Sequence, residues 1–179
     1  MEKTRNEDLG RLSIEEFKQA EKLPFCVVLD DIRSLHNIGS VFRTADAFRV
    51  EHLYLCGITA RPPHREIQKT ALGATESIDW SYFPSCSDCI LNLKQKGYLI
   101  CALEQALESI SLSEFQPPKG AKIALILGNE VEGVNTEVMN LCDYALEIPQ
   151  YGTKHSLNVS VSGGIGIWEI WKKINTNFN

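Results

Sequence analysis

The chain carries a short acidic turn between two glycines, within the stretch IALILGNEVEGVN at residues 123–135. Gly128 and Gly133 have the spacing of a glycine-rich phosphate loop, but the Lys and Ser/Thr that complete such a loop are replaced by Val and Asn. The two glutamates inside the turn would also repel a phosphate. The residue types therefore favour a ligand that lacks phosphate or carries positive charge. A plain strand-to-helix turn with two exposed glutamates fits them about equally well.

A second stretch, SLHNIGSVFRTADAF at residues 34–48, places an arginine one helical turn after a glycine. We interpret Asn37 as the N-cap of a helix whose apolar residues recur at positions i, i+3, i+4 and i+7. Arg43 and Gly39 share a face that is not the apolar one. A glycine inside a helix costs roughly 1 kcal/mol relative to alanine, which is easier to explain if backbone or a ligand approaches closely. Taken alone, a solvated arginine beside a capping glycine is the simpler interpretation.

The third stretch, IPQYGTKHSLNVSVSGGIGIWEIW at residues 148–171, is a polar loop between a strand stopped by proline and the last helix. Gly164 and Gly166 do not form a dinucleotide fingerprint, because the third glycine is missing and both lie inside the helical pattern. Close packing of that helix explains them better. Ser156 follows His155 directly, but adjacency in sequence establishes no nucleophile–base geometry, so a serine hydrolase is disfavoured.

Neither the cysteines nor the histidines predict a metal site. Cys86 and Cys89 form a lone CxxC pair without the second pair that a zinc site needs. With the apolar residues that follow they trace a helical stripe, so we interpret them as core cysteines. The six cysteines of the chain are expected to be reduced thiols, because no export signal is present. His36 lies close to Arg43, but a ligand contact is its less favoured interpretation.

An alternation of β-rich apolar runs and helical patterns must position these three stretches. The alternation predicts an α/β fold with a mostly parallel sheet and helices on both faces. The predicted strands are FCVVL at 25–29, HLYLC at 52–56, YLICAL at 98–103, IALIL at 123–127 and YALEI at 144–148. Open α/β sheets present ligands at the carboxyl ends of their strands, where the first stretch lies.

The sequence predicts a helix near each end of the chain. Ser13 followed by Glu16 is a capping-box pattern, which predicts a short helical extension over residues 1–23 before the first strand. The last helix, at about residues 159–174, has an apolar arc too wide for one neighbour. We expect a second surface, such as another subunit, to cover it.

Composition limits the class of protein. With 179 residues, 44% hydrophobic and 23% charged, the chain has the size of one globular domain. Its net charge of −5 argues against indiscriminate coating of nucleic acid, although residues 33–69 carry six basic and three acidic residues. The charged start and the absence of an apolar run near 20 residues lead us to expect a soluble cytoplasmic protein without a membrane span.

Taken together, the three stretches resemble the SpoU/TrmH-type RNA methyltransferases of the SPOUT class, over about residues 24–174. The patterns that match are N-x-G-x-x-x-R-x-A-x-x-F (Asn37, Gly39, Arg43, Ala45, Phe48), G-x-E-x-x-G (Gly128, Glu130, Gly133) and I-P…S-L-N-V-S (Ile148, Pro149 and residues 156–160). Their order and spacing make the match more specific than any one of them. The chain departs from the family at Gln150, where Met is usual, and in having glycines more than alanines after the last motif.

The resemblance implies a homodimer of SPOUT methyltransferase domains, here over residues 24–179, with the C-terminal segment threaded into a deep trefoil knot. It also implies S-adenosylmethionine as the cofactor and no metal. The positions that match the family's cofactor contacts are Leu103, Gly128, Ile148 and Leu157 through main-chain groups, with Ser156 beside them. Since this cofactor has no phosphate and carries a sulfonium cation, an acidic glycine turn is chemically compatible with it.

The reaction that the resemblance implies is methyl transfer to a ribose 2'-hydroxyl of structured RNA, with transfer RNA placed ahead of ribosomal RNA. Arg43 would then be the catalytic residue, with Asn37, Glu130 and Asn158 as polar residues of the same site. A protonated guanidinium is a poor base, so Arg43 would act mainly by holding a phosphate and stabilising the developing alkoxide. The candidate RNA contacts are Arg33, Arg61, Arg65 and Lys69, for which solvated surface charge is an equally good explanation.

Two further functions stay open. A non-catalytic RNA-binding or assembly protein would keep the same fold, but the set formed by Arg43, Glu130 and Asn158 speaks against it. A nucleotide-binding protein such as a dehydrogenase is disfavoured by the missing third glycine.

Overall fold

A computed structural model describes residue 1 and residues 3–175 of the chain. Within this part, seven strands form one sheet in which every neighbouring pair is parallel, in the order β3-β2-β1-β6-β4-β7-β5. The strands are β1 (Leu23–Asp30), β2 (Val50–Cys56), β3 (Trp80–Phe83), β4 (Tyr98–Leu103), β5 (Ile110–Ser111), β6 (Lys122–Leu127) and β7 (Tyr144–Glu147). All five predicted strands are confirmed, and two short edge strands, β3 and β5, are additional.

Seven α-helices and one 3-10 turn, Asn6–Leu9, connect the strands in the described part of the chain. The helices are α1 (Ile14–Gln19), α2 (Leu35–Ala47), α3 (Arg65–Ala71), α4 (Ala74–Ser77), α5 (Cys86–Gln95), α6 (Thr136–Met139) and α7 (Val159–Ile174). Helices on both sides of the sheet confirm the predicted α/β architecture.

The core consists of two apolar layers, one on each face of the sheet. In β1, Phe25, Val27 and Leu29 enter the layer that holds residues of α1, α2, α3, α4 and α7. The alternate residues of β1, Cys26 and Val28, enter the opposite layer with α5 and α6. Successive side chains of a strand point to opposite faces, so central strands that are covered on both sides must be apolar throughout.

The N-terminal helix forms as the capping-box pattern predicts. The Ser13 hydroxyl accepts a hydrogen bond from the Glu16 amide at 3.2 Å, and the Glu16 carboxylate accepts one from the Ser13 amide at 2.7 Å. Phe17 of this helix is buried in the same apolar layer as β1. Helix α1 therefore contributes a side chain to the main core.

Gly39 and the glycines of α7 permit close packing. A Cβ atom built on Gly39 would lie 2.3 Å from the Ile67 carbonyl oxygen, so the backbone of α3, rather than a ligand, explains this glycine. A Cβ atom on Gly166 would lie 3.0 Å from a Leu125 methyl group. Gly164 meets only an ordinary contact, 4.0 Å from a methyl carbon of Thr44. The prediction of close packing is thus confirmed at Gly166.

One face of α7 is uncovered in the single chain. Val161, Ile165 and Trp168 recur at helical spacing and are 52%, 41% and 40% exposed. The opposite side of the helix buries Ile167 and Ile170 completely. The wide apolar arc predicted from sequence is therefore present, and half of it faces outward.

The six cysteines are free thiols, and all except the half-buried Cys142 are buried. Cys86 and Cys89 lie on the buried face of α5, which confirms their interpretation as core residues. In the described ranges, no cluster of His, Cys, Asp and Glu has the arrangement of a metal site. None of the helices described is both long and apolar enough to cross a lipid bilayer.

Candidate active site

A cavity of about 430 Å³ lies at the carboxyl ends of three neighbouring strands, β6, β4 and β7. Its walls are residues 103–105 at the end of β4, residues 127–133 at the end of β6 and parts of residues 146–162, from the end of β7 to the start of α7. Open α/β sheets bind ligands at this edge, and the volume falls within the range typical of small-molecule sites. The cavity is therefore our candidate site.

The turn after β6 forms one wall and needs both of its glycines. A Cβ atom on Gly128 would lie 2.3 Å from the Val134 nitrogen, a backbone atom that cannot give way. Gly133 has φ of +70°, a conformation that side chains rarely adopt. Asn129 and Gly133 exchange two backbone hydrogen bonds of 3.0 Å, which close the turn on itself.

The electrostatic character of the cavity is acidic. Its described lining includes four carboxylates, Glu104, Glu130, Glu132 and Glu147, and no Lys or Arg. Four carboxylates without a basic partner disfavour a phosphate group and favour a cation. The acidic character noted for the glycine turn therefore extends to the described lining of the whole cavity.

Glu130 ties this turn to the loop between β1 and α2. Its carboxylate accepts hydrogen bonds of 2.9 Å from the backbone amides of Arg33 and Ser34 and from the side-chain amide of Asn37. Partial burial opposes the charged form of Glu130, but these hydrogen bonds outweigh it and hold the pKa below the ordinary value of 4.5. Glu130 is thus an ionised acceptor that links two segments far apart in sequence.

The structure corrects the predicted N-cap of α2. The helix begins at Leu35 and Ser34 is its N-cap, because the Ser34 hydroxyl accepts a hydrogen bond from the Asn37 backbone amide at 3.3 Å. The side chain of Asn37 is therefore free to bond elsewhere. It donates to Glu130, which fixes the direction of the amide, and its oxygen accepts from the side-chain nitrogen of Asn158 at 3.1 Å.

Asn158 completes a chain of hydrogen bonds through all three stretches singled out in the sequence. It is the N-cap of α7, since its side-chain oxygen accepts from the backbone amide of Ser160 at 2.9 Å. Three of the four candidate polar residues, Asn37, Glu130 and Asn158, are therefore connected to one another. Glu130 and Asn158 line the cavity, whereas Asn37 lies directly behind them.

All five predicted cofactor contacts, Leu103, Gly128, Ile148, Ser156 and Leu157, lie in the wall of this cavity. They lie at the end of β4 and in the loops after β6 and β7, so their convergence depends on the order of strands in the sheet. In the described part of the chain, the Ser156 hydroxyl and the His155 ring form no hydrogen bond with each other. This pair therefore does not make the nucleophile–base contact that a serine hydrolase needs.

Arg43 is exposed and lies outside the cavity wall. It makes no hydrogen bond or ion pair with any other residue that the structure describes. It follows Asn37 by six residues in α2, a rise of roughly 9 Å along the helix axis. Cα–Cβ bonds in a helix tilt toward its N-terminus, which in α2 is the end that carries Asn37.

The four candidate RNA contacts are all exposed, but two of them have partners within the chain. The Arg61 guanidinium stacks 4.3 Å from the centre of the Tyr82 ring. Lys69 forms an ion pair with Glu66 at 2.7 Å, and Glu66 also bonds the His36 ring at 3.1 Å. Glu66 rather than a ligand therefore accounts for the position of His36. Arg33 and Arg65 extend from the loop before α2 and from the start of α3.

Sequence reasoning missed three polar residues around the cavity. The Asn129 side chain donates to the Asp31 carbonyl at 2.7 Å and accepts from the amide of Val131 at 2.9 Å. Glu104 and Gln105 lie directly after β4. They form hydrogen bonds to the turn after β6 and to the loop after β7, respectively. The sequence could have identified Glu104 and Gln105, because both follow the carboxyl end of a predicted strand. Functional side chains of this fold class lie at that end.

Comparison with known proteins identifies the family. A profile of the family described as SpoU rRNA Methylase matches residues 24–168. An uncharacterized tRNA/rRNA methyltransferase of Borreliella burgdorferi is 32% identical over 97% of this chain and 74% of its own length. The tRNA (guanosine(18)-2'-O)-methyltransferase of Aquifex aeolicus is 32% identical over 80% of this chain and 66% of its own length.

A solved structure supports the same assignment. The AdoMet-bound rRNA methyltransferase of Sinorhizobium meliloti superposes with a TM-score of 0.79 and 25% identity, over 88% of this chain and 59% of that protein. This chain thus spans between about three fifths and three quarters of the lengths of these three proteins. The profile match over most of the chain, together with this fold, confirms the predicted kinship: the chain belongs to the SpoU rRNA methylase family.

Proposed function

We propose that this protein is an S-adenosylmethionine-dependent methyltransferase that acts on a ribose 2'-hydroxyl of structured RNA. The observation that carries the proposal is the hydrogen-bonded chain from Glu130 through Asn37 to Asn158, beside an acidic cavity at the carboxyl ends of β6, β4 and β7. The relatives named for RNA methylation support it.

The cavity fits S-adenosylmethionine on the chemistry of its lining. The cofactor has no phosphate, so the absence of Lys and Arg from the described lining costs it nothing, and its sulfonium and ammonium groups suit four carboxylates. Leu103, Gly128, Ile148 and Leu157 would hold it through main-chain groups, with Ser156 beside them. When bound, the cofactor supplies the methyl group as an electrophile.

The residues of this chain would supply positioning and charge. A guanidinium group is a donor without an acceptor, so Arg43 would not abstract the proton of the ribose hydroxyl. It would bind an RNA phosphate and stabilise the alkoxide that develops on the attacking oxygen, with the phosphate helping to take the proton. Asn37, Glu130 and Asn158 would hold the loops that bring Arg43 and the cavity into register.

Transfer RNA is the substrate class that we place first, with ribosomal RNA second. Relatives named for each class are similar to this chain. To separate them, the purified protein is incubated with methyl-labelled S-adenosylmethionine and RNA from cells that lack this gene, and each RNA fraction is digested to nucleosides. We expect label in a 2'-O-methyl nucleoside of the transfer RNA fraction. RNA binding without any incorporated label would instead establish the non-catalytic alternative.

The basic residues Arg33, Arg61, Arg65 and Lys69 are proposed to contact the RNA backbone. Binding through phosphates releases counterions, so we expect RNA affinity to fall as salt rises, with a slope that becomes shallower when Arg33 and Arg65 are both replaced by alanine. The guanidinium groups of these two residues form no hydrogen bond or ion pair within the described part of the chain. A slope that is unchanged in the double variant, measured by filter binding between low and moderate salt, would remove them from the interface.

A homodimer is proposed to cover the outward face of α7. The exposed stripe of Val161, Ile165 and Trp168 is contiguous on one helix face, and such faces are usually buried against a partner. Sedimentation should then give twice the chain mass of 20.1 kDa. The trefoil knot implied by the family resemblance stays a prediction, as does the assignment of residues 1–23 as an extension to the methyltransferase domain.

A further inference from the structure

We propose that Glu104 and Gln105 are positioning residues that tie two walls of the cofactor cavity to the end of β4. The inference rests on the proposed function in one respect, that the cavity holds S-adenosylmethionine. The two residues follow β4 directly, line the cavity and form hydrogen bonds to the loops on either side of them.

Glu104 braces the turn after β6. One oxygen of its carboxylate accepts a hydrogen bond of 2.9 Å from the Val134 backbone amide, and the other accepts one of 3.0 Å from the Gln105 amide. The fit is close, because a Cβ atom on Gly133 would lie 2.3 Å from the first of these oxygens. Gly133 therefore serves two needs at once, the positive φ of the turn and the space for the Glu104 carboxylate.

Gln105 reaches the opposite wall. Its side-chain nitrogen donates to the His155 carbonyl oxygen at 3.3 Å, in the loop that leads to α7. This bond is long and exposed, so we assign it a smaller effect than the carboxylate of Glu104. Together the two side chains connect the turn after β6 and the loop after β7 through the end of the strand that lies between β6 and β7.

These contacts close a ring around the cavity. Glu104 holds Val134, the same turn carries Glu130, and Glu130 is linked through Asn37 to Asn158. Asn158 lies three residues after His155, to which Gln105 returns. A closed ring fixes the separation of the walls, so the loss of one link should weaken binding of a ligand that contacts several walls at once.

The test compares Glu104→Ala with Glu104→Gln. Alanine leaves the amide of the buried Val134 without its acceptor, whereas glutamine has the same shape as glutamate and keeps one acceptor oxygen. We expect the dissociation constant for S-adenosylmethionine, measured by calorimetry, to rise about tenfold or more in Glu104→Ala and no more than about threefold in Glu104→Gln. Gln105→Ala should raise it by about two- to threefold. Glu76→Ala, which removes an exposed carboxylate of α4 outside the cavity wall, is the matched control and should bind as the unmodified protein does.

A second readout does not depend on the cofactor. Exchange of the Val134 amide hydrogen with deuterium, followed by NMR in the free protein, should accelerate in Glu104→Ala and stay slow in Glu104→Gln. Equal cofactor affinity in Glu104→Ala and in the unmodified protein would overturn the inference and leave the proposed function standing. Failure of the unmodified protein to bind S-adenosylmethionine would instead overturn the proposed function. In that case, the amide exchange of Val134 would still decide whether Glu104 braces the turn.

Discussion

Replacement of Arg43 by alanine is expected to slow methyl transfer to RNA by roughly 10²- to 10³-fold, the usual effect of removing one charge-stabilising donor from a transition state. The dissociation constant for S-adenosylmethionine should change by less than about threefold, because Arg43 does not line the cavity. The rate and the cofactor affinity should respond differently because separate parts of the site would bind the cofactor and the RNA. In the proposed mechanism the cavity would hold the methyl donor, whereas the exposed Arg43 guanidinium on α2 would meet the RNA.

The experiment on Arg43 measures single-turnover transfer and cofactor affinity on the same preparations. Arg43→Lys keeps the charge but loses the planar fork that pairs with a phosphate, so its rate should fall between those of the unmodified protein and the alanine variant. Arg11→Ala, an exposed arginine in the segment before α1, serves as the control for loss of one positive charge. Full transfer activity in Arg43→Ala would eliminate the proposed role of this residue.

Replacement of Glu130 by alanine is expected to have the second large effect, on both stability and activity. Three donors, the amides of Arg33 and Ser34 and the side chain of Asn37, lose their acceptor. We expect the free energy of unfolding to fall by about 2–3 kcal/mol, a value kept moderate because the carboxylate is partly exposed. Methyl transfer should fall by at least about tenfold, since Asn37 and the start of α2 lose their anchor to the cavity wall.

Acid should reproduce part of this effect in the unmodified protein. Hydrogen bonds hold the pKa of folded Glu130 below its ordinary value of 4.5, so the ionised form is favoured by folding. The contribution is complete above about pH 4.5 and is lost as the pH falls through the lower folded pKa. Urea unfolding as a function of pH checks this, with Glu130→Gln as the matched variant. Glu130→Gln should lose less stability between pH 5 and pH 3, and parallel pH curves for the two proteins would contradict the assignment.

Much of the fold could be predicted from residue types alone. Runs such as those of β1 and β6 are apolar throughout because both faces of a central strand are buried. The edge strands β3 and β5 were missed because they lack this burial on both faces. Strand β3 is only half-buried, and β5 is two residues long. Such strands carry little apolar signal. The capping residue Ser13 was identified correctly because a cap acts over two or three residues.

The misassigned N-cap of α2 shows where local reasoning fails. Both Ser34 and Asn37 are good capping residues, and the spacing of apolar positions fits either. Ser34 takes the cap because Asn37 is engaged elsewhere, by partners 93 and 121 residues away in sequence. No pattern within α2 contains that information. The resemblance to a family singled out Asn37, Glu130 and Asn158 as a set, but not the hydrogen bonds that join them.

By itself, then, the amino-acid sequence determined the elements, the acidic character of the turn after β6 and the family. Only the tertiary structure decided which side chains meet. The strand order β1-β6-β4-β7 sets the carboxyl ends of non-consecutive strands side by side, and this brings Glu130 to Asn37 and Glu104 to Val134. Propensity, capping and periodicity act over a few residues. These contacts instead depend on the order of strands in a parallel sheet, which joins segments up to about a hundred residues apart in sequence.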